Sequence, residues 1–89
     1  MSMYVAGGKP FVFHKEPGDR TPCDLPITLH LYVSGAAGTK VYFAKADFEN
    51  DENYITLPQS GAWEGPAAVR QVWVSGSART EVVGLALTR

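Results

Sequence analysis

The chain has 89 residues, of which 45% are hydrophobic and 19% are charged, and its formal net charge is −1. These values predict one folded domain with a modest core, and the lack of a basic excess argues against direct binding to DNA or RNA. The single cysteine, Cys23, excludes an intramolecular disulfide. The first residues lack the features of a signal peptide, and the longest apolar run is too short for a membrane helix. We therefore expect synthesis in the cytoplasm and no membrane partner.

Alternation of apolar and polar residues is the main periodic signal along the chain, and no segment of useful length has the spacing of an amphipathic helix. Residues 27–33 show the alternation best, because Ile27, Leu29, Leu31 and Val33 fall on one face. The pattern predicts an all-β fold, a small sandwich or barrel of six to seven short, mostly antiparallel strands. The predicted strands are 3–6, 10–15, 27–34, 39–47, 53–57, 69–75 and 80–88.

The first 26 residues differ in composition from the rest of the chain. Glycines at 7 and 8 precede the predicted strand at 10–15, and prolines at 17, 22 and 26 then mark an irregular segment. This composition predicts two parts, an N-terminal arm with a proline-rich loop at 1–26 and a β-domain at 27–89. The arm is also a candidate to add a strand to the sheet of a neighbouring protein.

A repeat relates two parts of the β-domain. LYVSGAAGTKV, residues 31–41, resembles VWVSGSARTEV, residues 72–82, with an offset of 41. The shared pattern V-S-G-x-A-x-T-[KE]-V predicts two similar β-hairpins, in which Gly35 and Gly76 supply a positive φ at the turn. Two explanations stay open here, a good hairpin loop that occurs twice and an internal duplication that gives a pseudo-twofold domain.

Catalytic and metal-binding motifs are not found in the sequence. The two histidines, His14 and His30, lie inside predicted strands and lack the spacing of metal ligands. Four carboxylates at 47–52 are more typical of a solvated turn than of a calcium loop, because the EF-hand spacing and its glycine are missing. The motif search therefore predicts a protein that is not an enzyme and that has no catalytic, cofactor-binding or metal-binding residues.

The aromatic residues predict surfaces that need to be covered. If Leu31, Val33, Val41, Val72, Val74 and Val82 face the core, the opposite face of the two hairpins is also apolar, because it carries Tyr32, Tyr42, Trp73 and Val83. Another part of the chain, such as the segment with Phe11 and Phe13 or the loop with Trp63, is one candidate to cover this face, and a second protein is the other. The candidate residues for contact with a partner are Tyr4, Phe11, Phe13, Tyr32, Tyr42, Trp63 and Trp73.

The C-terminal part of the chain resembles a family of small virion proteins. Residues 53–89, NYITLPQSGAWEGPAAVRQVWVSGSARTEVVGLALTR, are similar to the C-terminal half of structural proteins from tailed bacteriophages, and residues 31–44, LYVSGAAGTKVYFA, also look like phage structural β-proteins. The resemblance covers about two-thirds of the chain. It implies a capsid decoration (cement) protein that binds the outer shell as a homo-oligomer, with the major capsid protein or another virion protein as partner and the virion as location.

Three other functions stay open at this point. A head–tail or tail-associated structural protein belongs to the same class as a decoration protein. A carbohydrate-binding β-sandwich module would use exposed Trp63 and Trp73 to stack on sugars. A small phage-encoded inhibitor of a host protein would usually carry a stronger charge bias.

Overall fold

Two four-stranded antiparallel sheets form a sandwich-like fold in the computed structural model, which describes residues 8–28 and 30–87. The strands are β1 (Gly8–Lys15), β2 (Cys23–Asp24), β3 (His30–Ser34), β4 (Lys40–Tyr42), β5 (Ile55–Thr56), β6 (Ala62–Pro66), β7 (Gln71–Ser75) and β8 (Thr80–Leu87). One short helix, α1 (Lys45–Asn50), follows β4. The predicted all-β class is confirmed, whereas the predicted strand at 3–6 lies outside the described residues.

Strands that are neighbours in a sheet are mostly not consecutive in the chain. Sheet A has the order β1-β8-β3-β6, and sheet B has the order β2-β7-β4-β5. β2 and β6 were missed because the sequence predicted loops there: β2 has only two residues, and β6 holds a glycine and a proline. Both lie at the edge of a sheet, where a ladder tolerates short strands and proline.

The core lies between the two sheets. The six residues predicted to face the core are buried, and Cys23, Leu25 and Leu57 complete the cluster. Ile27, which alternation placed on the same face as Leu31 and Val33, lies before β3 and is 62% exposed. β-Branched side chains dominate it, as expected for short strands whose inner faces pack on each other. The prediction of the core is therefore confirmed for Leu31, Val33, Val41, Val72, Val74 and Val82.

The repeat does not form hairpins, and this prediction was wrong. β3 lies in sheet A and β4 in sheet B, so the first copy crosses from one sheet to the other, and β7 and β8 cross in the opposite direction. The two copies pair with each other instead. Val33 pairs with Val82 in sheet A, and Val41 pairs with Val74 in sheet B. The offset of 41 relates Val33 to Val74 and Val41 to Val82, so exchanging the two copies converts one pair into the other, and the pairing has a pseudo-twofold arrangement.

The glycines of the repeat provide space rather than a special backbone angle. Neither Gly35 nor Gly76 has a positive φ, in contrast to Gly38 in the first connection, with φ +89°. A Cβ on Gly76 would lie 2.5 Å from Thr39 Oγ1, and a Cβ on Gly35 would lie 2.9 Å from Thr80 Oγ1. Each glycine therefore leaves room for the threonine of the other copy, which explains why both residue types recur.

α1 replaces the second half of a predicted strand. The sequence predicted a strand over 39–47, but β4 ends at Tyr42 and the helix begins at Lys45. Six residues are too few to show helical periodicity, and the helix has no buried residue. It ends at Asp51, whose φ of 53° and ψ of 53° are left-handed, a conformation that aspartate tolerates better than most residues.

The N-terminal segment contributes to both sheets. β1 pairs with β8 over its full length, from Gly8 with Leu87 to Lys15 with Thr80. Phe11 and Phe13 pack against the core, and β2 pairs with β7 in sheet B. Residues 8–26 are therefore not set apart from the β-domain, although the composition of this segment predicted an arm.

Candidate interaction surfaces

The outer face of sheet A carries a row of apolar side chains. Val12 on β1 pairs with Val83 on β8, and Val83 pairs with Tyr32 on β3, so the row crosses three strands. Val12 is 49% exposed, Tyr32 41% and Leu85 48%. We call Val12, Tyr32, Val83 and Leu85 the sheet A patch. It is contiguous and faces solvent, which is the property that distinguishes an interaction surface from scattered exposed apolar residues.

Two histidine–glutamate pairs border the sheet A patch. His14 Nδ1 lies 3.2 Å from Glu81 Oε2, and His30 Nε2 lies 3.0 Å from Glu64 Oε2. All four side chains are well exposed, so each pair contributes little to folding. The pairs give the apolar patch a polar rim at both ends, an arrangement common in protein interfaces.

The outer face of sheet B is covered by α1 and the segment after it. Phe48 contacts Trp73, with 6.1 Å between the ring centroids, and Tyr42 at 5.2 Å. Tyr54 lies 5.5 Å from the ring of Tyr42. Tyr42 and Trp73 are consequently only 3% and 5% exposed. The chain itself therefore covers this second apolar face, by a helix that the sequence did not predict.

Asp51 attaches the end of α1 to sheet B. Its carboxylate accepts a 2.6 Å hydrogen bond from the Tyr42 hydroxyl and bonds of 3.1 and 3.2 Å from Lys40 Nζ. The hydrogen bond from Tyr42, followed by that from Lys40, lowers the pKa of Asp51. Burial, followed by the bond to Asp51, raises the pKa of Tyr42. Asp51 is thus ionised and Tyr42 neutral at pH 7, which suits the hydrogen bond between them.

A second polar cluster closes the turn after β1. Lys15 is buried, and its ammonium group lies 3.0 Å from Asp19 Oδ2 and donates to Thr21 Oγ1 at 2.9 Å. Asp19 accepts bonds from the Thr21 hydroxyl at 2.6 Å and from the Thr21 amide at 3.0 Å. The hydrogen bonds from Thr21, together with that from Lys15, lower the pKa of Asp19 to about 2.

This shift predicts a loss of stability in acid. The pKa of Asp19 is lowered from 3.8 to about 2 in the folded protein. The stability that the ionised carboxylate contributes is therefore fully present above about pH 5 and is lost as the pH falls through 3.8 towards 2. Urea unfolding should show Asp19→Asn less stable than the wild type at pH 5.5, with the gap closing by pH 2. A gap that stays constant between these pH values would contradict an ionic role for Asp19.

The sequence-predicted contact residues occupy different places in the structure. Tyr4 lies outside the described residues. Phe11 and Phe13 pack against the core, and Trp63 is half-buried with its ring 5.9 Å from Phe43. Tyr42 and Trp73 are buried below α1, so Tyr32 is the exposed one among the six members that the structure describes. Partner contact by these residues stays a prediction.

Alternation along β1 was the signal that could have shown the rest of the patch. Phe11 and Phe13 face the core, so Val12 between them must face outward. Leu85 pairs with Pro10 and lies on the same outer face as Val83, two residues earlier in β8. Both residues were missed because their exposure depends on which side of sheet A is covered.

Cys23 and two of the carboxylates at 47–52 have structural roles. Burial raises the pKa of the Cys23 thiol to about 11, so the thiol is protonated at neutral pH. In the acidic segment, Asp47 accepts a hydrogen bond from Asn53 at 3.0 Å, and Asp51 accepts hydrogen bonds from Tyr42 and Lys40.

In residues 8–28 and 30–87, no three His, Cys, Asp or Glu side chains are grouped closely enough to hold a metal ion. Nor does that part of the chain contain a helix long and apolar enough to span a membrane.

Comparison of the chain with models of known protein families, with curated proteins and with solved structures found no match. The function of the chain is therefore inferred from its sequence and its surface geometry.

Proposed function

We propose that the protein is a structural component of a tailed-bacteriophage particle, of the capsid decoration type, which binds the outer shell as an oligomer. The observation that carries this proposal is the sheet A patch, where Val12, Tyr32 and Leu85 are each between 41% and 49% exposed. The resemblance of residues 53–89 to small virion proteins supplies the biological setting. A small sandwich with one face covered by its own chain and one face open suits a protein that docks flat on a larger assembly.

The sheet A patch can supply part of the energy that docking requires. Burying a few hundred Å² of apolar surface contributes several kcal/mol, at about 25 cal/mol per Å². One copy would bind an isolated capsid subunit weakly, because association itself costs several kcal/mol. An oligomer that contacts several subunits at once would bind far more tightly, since the later contacts are intramolecular. The proposal therefore includes oligomerisation or multivalent docking.

The carbohydrate-binding alternative is not favoured by the positions of the two tryptophans. Stacking on a sugar requires an exposed aromatic face, but Trp73 is 5% exposed and Trp63 packs against Phe43. A head–tail or tail-associated protein would use the same kind of surface as a decoration protein. The two roles differ in where on the particle the chain is found, so binding to capsids without tails distinguishes them.

Stoichiometric co-purification with intact particles of the encoding phage is the first test. We expect the chain in gradient-purified particles and also on capsids from a mutant that makes no tails. Presence on tails alone would favour the tail-associated role. Absence from particles would overturn the proposal for the whole class.

Charged substitutions in the sheet A patch should then abolish docking. Purified particles that lack the protein would be mixed with wild-type chain or with the double variant Tyr32→Lys, Leu85→Lys, and bound protein would be measured by co-sedimentation. Burying two ammonium groups in an apolar contact should weaken binding by roughly a hundredfold. Ile27→Lys is the matched control, because Ile27 is apolar, is 62% exposed and lies outside the strands of sheet A.

The control and the double variant should have similar unfolding midpoints, since all three side chains face solvent. If the double variant is folded and still binds like the wild type, the sheet A patch is not the docking surface.

A further inference from the structure

A cleft opens beside α1, on the outer side of sheet B. Its volume is about 500 Å³, within the range of small-ligand and peptide-side-chain pockets. Its apolar lining consists of Pro22, Phe48 and Trp73, and its polar lining includes Arg20, Lys45 and Gln71. This cleft, which we call the Arg20 cleft, lies on the opposite sheet from the sheet A patch and is independent of it.

The Arg20 guanidinium is held over an aromatic ring at the cleft. Its central carbon lies 4.6 Å from the ring centroid of Phe48, and Phe48 is itself held by contacts with Trp73 and Tyr42. A cation over an aromatic face is attracted by the electrons of the ring, but the ring of Phe48 offers no oxygen or nitrogen acceptor to the N–H groups of Arg20.

The backbone on either side of Arg20 is also fixed. Asp19 and Thr21, its two neighbours, are joined by the 3.0 and 2.6 Å hydrogen bonds of the turn and are tied to buried Lys15. Rigid placement of an arginine lowers the entropy that binding must overcome. Arg20 is consequently a preorganised cation rather than a free surface side chain.

Arg20 differs from four other cations of the chain in having no acidic partner. Lys15, Lys40, Lys45 and Arg79 each have a carboxylate within 4.0 Å. Within the described part of the chain, no carboxylate lies that close to the Arg20 guanidinium. Its five N–H donors, which fit both oxygens of a carboxylate, are therefore available to a group from outside.

We propose that the Arg20 cleft binds an acidic peptide segment of a partner protein, in which an aspartate or glutamate lies next to an apolar residue. The carboxylate would accept paired hydrogen bonds from Arg20, and the apolar side chain would contact Phe48, Trp73 and Pro22. Glu49 on the rim lies 4.0 Å from Lys45 and offsets that positive charge. A singly charged carboxylate therefore fits better than a phosphate dianion, which Glu49 would repel more strongly.

A pair of peptides tests this proposal directly. Acetyl-Gly-Leu-Asp-Gly-amide and its Asn counterpart would be titrated into the ¹⁵N-labelled full chain, with the Arg20 Nε–H and Trp73 indole signals followed by NMR. We expect the Asp peptide to shift both signals in a saturable way. Loss of the charge on either side, in the Asn peptide or in Arg20→Gln, should weaken binding roughly tenfold.

Matched variants separate a specific site from general charge. Arg20→Lys keeps the charge without the planar fork and should bind with intermediate affinity. Arg70→Gln removes another exposed arginine and should bind like the wild type. The proposal is overturned if the Asp and Asn peptides bind equally, if neither binds, or if Arg70→Gln weakens binding as much as Arg20→Gln. It is also overturned if inorganic phosphate shifts Arg20 at lower concentration than the Asp peptide.

Discussion

Removal of residues 1–15 should prevent the protein from folding. The deletion takes away β1, which pairs with β8 along eight residues, and with it Phe11 and Phe13, which pack against the core. Burial of each phenylalanine contributes roughly 2 kcal/mol, and the lost ladder leaves the backbone of β8 exposed on one side. A domain of this size is stable by only about 5–10 kcal/mol. Circular dichroism and urea unfolding should therefore show no cooperative transition.

The composition of the N-terminal segment predicted the opposite result, a folded domain that has lost a binding arm. Val12→Ala in the full chain is the control for β1, because Val12 lies on the same strand but faces solvent. We expect it to change the free energy of unfolding by less than about 1 kcal/mol. A shortened chain that unfolds cooperatively, with a midpoint near that of the wild type, would show that β1 is dispensable.

Replacing Gly76 by alanine should destabilise the fold by about 2–3 kcal/mol, because the new methyl group would clash with the buried side chain of Thr39. A Cβ at this position lies 2.5 Å from Thr39 Oγ1, 3.0 Å from its Cγ2 and 3.1 Å from its Cβ, so rotation of the threonine cannot clear the space. Gly35→Ala should cost less, since the nearest carbon atoms of Thr80 are 3.4 Å away. Urea unfolding of the two variants gives the comparison.

Two further variants separate crowding from backbone strain. Gly38→Ala places a methyl group in open space at φ +89° and should cost about 1 kcal/mol from strain alone. Combining Thr39→Ala with Gly76→Ala removes Oγ1 and Cγ2 of Thr39, two of the three atoms that crowd a Cβ at residue 76. We expect this pair to be non-additive by about 1 kcal/mol or more in a double-mutant cycle. Equal costs for Gly76→Ala and Gly38→Ala would show that the two copies do not interlock through these residues.

The buried threonines of the two copies differ in their hydrogen bonds. Thr39 Oγ1 is buried without a hydrogen-bond partner among the described residues, which normally costs free energy. Thr80 Oγ1, its counterpart in the second copy, has a contact of 3.4 Å with the Ala78 carbonyl. In both copies the hydroxyl oxygen lies within 3 Å of the position that a Cβ on the opposite glycine would take.

The sequence alone determined the local features of this protein. Alternation along β3, β4, β7 and β8 placed Leu31, Val33, Val41, Val72, Val74 and Val82 in the core, because side chains of a strand point to opposite faces with a period of two. The all-β class follows from the same pattern, combined with frequent glycine and proline between the runs. These properties depend on neighbours in the chain, and so they can be read without knowing which strands meet.

Tertiary structure decided the pairing of strands and the identity of both candidate surfaces. A hairpin and a connection between sheets can share the same local sequence, so V-S-G-x-A-x-T could not show that β3 pairs with β8 rather than with β4. The role of each glycine depends on a distant threonine. Gly35 lies against Thr80, which is 45 residues away in the chain, and Gly76 lies against Thr39, which is 37 residues away. Phe48 covers the outer face of sheet B, whereas the outer face of sheet A stays open. Arg20 contacts Phe48 only after the chain has folded. Each of these facts is a long-range contact, whose energy comes from residues that are distant in sequence.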